Sequence, residues 1–76
     1  MDWDREIDAR GLLCPLPVLR ARKAMRDLAP GQVLRLLATD PAAAIDVPHY
    51  AQEAGHALLG SAPEGEATAW YLRRGG

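Results

Sequence analysis

Pro15 and Pro17, two residues apart, fix where the first helix of this 76-residue chain can begin. Proline lacks an amide hydrogen, so it is tolerated in a helix only in the first turn, where that hydrogen would have had no intrahelical partner. The periodic segment that starts at Pro15 therefore reads as a helix with Cys14 at its N-cap. Ahead of it, Trp3, Arg5, Ile7 and Ala9 alternate with Asp4, Glu6 and Asp8, a period of two that reads as a strand. Gly11 gives the chain freedom to turn between the two.

Within the helix, Val18, Ala21, Met25 and Leu28 recur at helical spacing and form a buried stripe, while the arginines face outward. Pro30-Gly31 ends it and turns the chain. Gln32 to Ala38 is the clearest strand, and its near-continuous apolar run predicts a central position in the sheet with both faces covered or nearly so. Asp40-Pro41 opens a short helical piece through Ala44, Pro48 interrupts or restarts it, and a helix from about Val47 ends by Gly55. His56 to Ala62 and Ala67 to Arg74 read as strands, joined by a turn at Pro63-Glu64-Gly65-Glu66. A strand, helix and strand in succession make a right-handed crossover with the two strands parallel. The expected fold is an α/β (α+β) two-layer sandwich in the order β-α-β-α-β-β, a four-stranded mixed sheet with two helices on one face, formed by residues 1–76 as a single domain.

At this length folding buries only about 60% of the unfolded chain's surface, which leaves no room for a separate substrate domain. Phe is absent, so the core must come from Leu, Val, Ile and Ala with help from Trp3, Trp70 and Tyr71. The charged N-terminus lacks the apolar stretch of a signal peptide, and no run is long enough to cross a bilayer; the expectation is a cytoplasmic protein with no membrane contact. Net charge is −1, yet Arg10, Arg20, Arg22, Lys23 and Arg26 fall in one stretch with no acid between them. The helix is a basic one, either a solvated face or a docking surface for an acidic partner or RNA.

Cys14 is the only cysteine. At the positive end of a helix dipole its thiolate is favoured. Only the Leu16 amide is left for it to cap, and dipole stabilisation of about 0.3 to 1 kcal/mol predicts a modest lowering, to near or slightly below neutral. With no second thiol there is no internal disulfide, so sulfur chemistry begun at Cys14 must be finished by another molecule. The plain alternative is a small buried hydrophobe. His49 or His56 could serve a cysteine nucleophile as base, but each reads as a surface or strand-edge residue. One Cys and two His fall short of the four ligands of a structural zinc site; no metal and no cofactor are expected.

Gly-Leu-x-Cys-Pro-x-Pro at Gly11 to Pro17, Pro30-Gly31, Asp40-Pro41-Ala42, Asp46-Val47-Pro48 and a C-terminal basic-Gly-Gly occur in this order. Over nearly its whole length the chain thereby resembles the TusA/SirA-like family of sulfur carriers. The resemblance implies a persulfide on Cys14, taken from a cysteine desulfurase or rhodanese-like donor and passed to a thiol of a TusD/DsrE-like or other acceptor. It implies an end use in tRNA 2-thiouridine, molybdenum-cofactor assembly or sulfur oxidation, with no direct nucleic-acid binding required. Gly11, Pro15 and Pro17 would shape the site, and Leu16 fills a position that varies in the family. Two other readings compete: a thiocarboxylate on the terminal Gly-Gly, as in ubiquitin-like sulfur carriers, and a regulatory or RNA-binding module using the basic helix.

Overall fold

The strand with the longest apolar run lies inside the sheet, as its composition demands. The computed structural model describes residues 1–76, in the order β1 (Arg5–Ala9), α1 (Leu16–Met25), β2 (Val33–Ala38), α2 (Ala43–Ala54), β3 (Ala57–Glu64) and β4 (Ala67–Arg73). The strands are arranged β1-β2-β4-β3. β1 and β2 are parallel, with Ile7 beside Leu36, and β4 runs antiparallel to both β2 and β3. This is the mixed four-stranded sheet expected of the sequence.

Both helices close over one face. Ala9, Leu34, Leu36, Ala38, Trp70 and Leu72 from the sheet meet Ala21, Ala24 and Met25 of α1 and Val47, Tyr50 and Ala51 of α2 in a single core. Burying a side chain such as Leu36 in full contributes roughly 1.5–3 kcal/mol. The opposite face has no helices, yet β2 is nearly all buried. There Leu37, Ala69 and Tyr71 form a second cluster flanked by Val33 and Leu59. Arg35 closes it: the guanidinium pairs with Glu6 and Glu64, donates to the Tyr71 hydroxyl at 3.1 Å and stacks on Trp3 at 4.4 Å. Trp3 is thus a half-exposed lid and not core, and Tyr50 takes the aromatic place inside.

Several boundaries differ from expectation, each for a local reason. α1 ends at Met25, ahead of Pro30, because the Asp27 and Leu28 amides bond three residues back, to Ala24 and Met25, and tighten the last turn. α2 is continuous through Pro48. The carbonyl deprived of its donor by that proline belongs to exposed Ala44, where water can serve. Gly55, at φ 77°, ends α2 as the sequence predicts. Pro63 and Glu64 belong to β3, and the turn is the two residues Gly65-Glu66; β3 is an edge strand, which tolerates a missing donor. The Arg74-Gly75 segment is docked, since the Arg74 amide bonds the Gln32 carbonyl and the Gly75 amide bonds His56 Nδ1. No helix is long and apolar enough to cross a membrane.

Candidate functional site

Parallel β1 and β2 end on the same side of the sheet, so the loops that follow them meet there, the usual place for a site in such a sheet. Gly11, at φ 80°, begins the first loop, and its amide donates to Thr39 Oγ1 at 2.9 Å. The Cys14 amide donates to Asp40 Oδ2 at 2.6 Å. The other oxygen of Asp40 accepts from the Ala42 amide, at the start of α2. One carboxylate thereby ties the cysteine loop to the entrance of the second helix.

Cys14 is exposed, not a buried hydrophobe. It lies one residue outside the cap position, because α1 begins at Leu16 with Pro15 as its N-cap and no side-chain cap. The reason is local: the Leu16 amide, the one donor a capping thiol could have used, bonds the Leu13 carbonyl at 2.8 Å. The Cys14-Pro15 peptide is cis. Pro17 is buried under the first turn, whereas Leu13, Leu16 and Leu19, three residues apart and flanking Cys14 in the chain, stay exposed.

The expected lowering of the thiol pKa is reversed. The Asp46 carboxylate, as a hydrogen-bond acceptor for the thiol, pushes its pKa up, and desolvation and the charges of Asp46 and Asp40 act in the same direction. The dipole loses because its influence fades within the first turn, and the Leu16 amide nearest the sulfur is already spent on the Leu13 carbonyl.

Cys14 opens onto a hollow of about 200 Å³ between Val18 and Arg22 of α1 and Asp46, His49, Tyr50 and Glu53 of α2. His49, weighed from the sequence as a base and read there as a surface residue, lines this hollow, and Asp46 and Glu53 were not anticipated beside it. Their spacing of three and four carries the signal, which is readable only once α2 is taken to run through Pro48. His49 Nε2 lies 3.5 Å from Glu53 Oε2. His56 sits apart from the thiol, beyond the helix end.

The five basic residues of the first helix region do not share one surface. Arg22 and Arg26 face the seam with α2, whereas Arg20 and Lys23 line a separate hollow with Arg5. Arg10 is engaged by Asp8 through two side-chain bonds of 2.9 and 2.8 Å, which hold the Asp8 pKa down to about 2. An exposed thiol with a carboxylate beside it and an open apolar rim can meet another protein's sulfur without an enclosed pocket.

The family model described as Sulfurtransferase TusA matches residues 5–74. The sulfur carrier protein TusA of Allochromatium vinosum is 47% identical over 64 residues, covering 84% of each chain. That of Pseudomonas entomophila is 41% identical over 71 residues, covering 93% of this chain and 89% of the relative. The putative sulfur carrier protein YrkF of Bacillus subtilis is 43% identical over 70 residues, but the match spans only 38% of its length. The crystal structure of a SirA-like protein from Desulfitobacterium hafniense superposes with a TM-score of 0.83 at 25% identity, covering 96% of this chain and all of the other.

Proposed function

Because the chain belongs to the TusA family of sulfurtransferases, we propose that it is a sulfur carrier that holds sulfane sulfur as a persulfide on Cys14 and relays it between partner proteins. The observation that carries this reading is the exposed thiol on a loop anchored by Asp40. In loading, the Cys14 sulfur attacks the terminal sulfur of a donor persulfide. The new sulfur–sulfur bond forms as the old one breaks, and the donor cysteine leaves as thiolate with the electron pair. Discharge is the same exchange, with an acceptor thiolate attacking the terminal sulfur on Cys14. No oxidant or reductant enters either step.

The raised thiol pKa suits a carrier at rest. The thiolate is the reactive form, so a thiol kept protonated by Asp46 resists adventitious oxidation. During attack the Asp46 carboxylate is positioned to take the departing proton. Gly11, Pro15 and Pro17 set the loop and helix start that present the sulfur. Leu13, Leu16 and Leu19 supply an apolar contact for the partner, with Arg22 and Arg26 steering acidic surfaces toward it. The donor is a cysteine desulfurase or rhodanese-like protein and the acceptor a TusD/DsrE-like or other thiol protein. tRNA 2-thiouridine is the preferred end use, and residues 1–76 act as one carrier unit.

Incubation with a cysteine desulfurase and sulfur-labelled L-cysteine tests this reading. Label should appear on the wild-type chain, be released by dithiothreitol, and be absent from Cys14→Ser. Equal labelling of Cys14→Ser overturns it.

A further inference from the structure

A second, larger hollow adjoins the one at Cys14 and shares Arg22, Tyr50 and Glu53 with it. Its volume of about 530 Å³ is in the range of small-molecule sites. Arg22 of α1, Arg26 at its C-cap and Arg74 beyond β4 border it, and none of the three is in an ion pair. Arg22 lies over the Tyr50 ring, 5.6 Å from its centroid. Arg74 is pinned by donation to the Leu28 carbonyl. His56 accepts the Gly75 amide on Nδ1 at 3.0 Å, which leaves the Nε2 proton of the neutral ring as a donor. Burial, then Arg74, lowers its pKa and favours that neutral form. The one acid on the rim is Glu53. In a chain of net charge −1, three guanidinium groups without a carboxylate partner around one concavity are a concentrated cationic site, and guanidinium forks bind carboxylates bidentately.

We propose that this hollow binds the carboxylate end of a small peptide-like persulfide and leaves its sulfur over Cys14, so that the carrier is also charged by a low-molecular-weight donor. The proposal rests on the persulfide reading above. In the transfer, the Cys14 thiolate attacks the terminal sulfur of R–S–SH, a new sulfur–sulfur bond forms as the S–S bond of the donor breaks, and RS⁻ departs with the electron pair. The leaving thiolate recovers the proton that the Cys14 thiol lost, so the exchange balances without a further reagent.

The test uses S-methylglutathione, a carboxylate-bearing analogue with no transferable sulfur, titrated into the full chain and followed by NMR. Saturable binding is expected, with shifts at Tyr50 and His56. Arg22→Gln and Arg26→Gln should each weaken it about tenfold, the loss of one charge-assisted hydrogen bond, whereas Arg20→Gln on the other face of α1 should not. Absence of binding, indifference to both substitutions, or equal affinity for inorganic sulfate overturns the proposal. Binding of a tetraglutamate peptide in place of the probe also overturns it, and assigns the hollow to a partner protein's acidic segment. Because the analogue carries no sulfur to transfer, its failure leaves the Cys14 reading standing, and a failure of Cys14 loading leaves the binding result intact.

Discussion

Asp40→Ala removes the carboxylate that ties the backbone of the cysteine loop to the entrance of α2. The carboxylate accepts from the Cys14 amide at 2.6 Å and from the Ala42 amide at 3.1 Å. Hydrogen bonds to a charged group are each worth about 1.5–3 kcal/mol when shielded. Here water can replace the lost acceptor, so the two together should contribute about 1–2 kcal/mol. For a domain of this size that is a fall in Tm of roughly 5–15 °C. The local effect is more diagnostic than the global one. Opening of the loop becomes easier by about 1.4 kcal/mol, so protection of the Cys14 amide against hydrogen exchange should drop about tenfold. Amides in β2 should follow only the change in global stability. Asp40→Asn keeps one acceptor oxygen and should show a smaller effect. Hydrogen exchange read by NMR, with calorimetry on the same samples, makes the measurement. Unchanged Cys14 exchange together with an unchanged Tm in Asp40→Ala would refute the claim that Asp40 holds the thiol in place.

Asp46→Asn should lower the Cys14 pKa, seen as a downward shift in the pH profile of iodoacetamide alkylation. The fold binds the thiol proton more tightly than the unfolded chain does. Wild-type stability should therefore decline as pH rises from the ordinary thiol value through the raised one, and Asp46→Asn should lose part of that decline. His56 has the opposite sign: its lowered pKa makes stability fall as pH drops from the ordinary histidine value through the folded one, which denaturant melts at several pH values would reveal. Gly75→Ala would place a Cβ 1.8 Å from the Gly55 carbonyl oxygen, so the segment must lift and the His56 titration by NMR should move up toward its ordinary value. Leu36→Ala, at a fully buried site, should cost about 3 kcal/mol within a range of 2–5 in guanidinium unfolding.

The order of elements was legible because the signals for it are local. Pro15 and Pro17 mark a helix start within a residue or two, Gly55 marks a helix end, and the apolar run at 33–38 marks a central strand. That run was legible for a partly different reason than expected, since one face of β2 is covered by Arg35, Trp3 and Tyr71 in place of helices. The sign of the thiol pKa was not legible. It depends on Asp40, 26 residues away along the chain, and on Asp46, which reaches the sulfur only because α2 persists through Pro48. The arginines misled for a related reason: neighbours in sequence on a helix point to different faces, and Arg22 and Arg26 share a hollow with Arg74, far along the chain, but not with Arg20 or Lys23.

Tandem mass spectrometry of the chain after loading by a cysteine desulfurase and L-cysteine tests the central claim most directly. The account predicts an added mass of about 32 Da, one sulfur atom, on the peptide bearing Cys14, removed by dithiothreitol as thiol exchange requires. Sulfur found on the peptide ending in Gly76, or retained by Cys14→Ser, would contradict it.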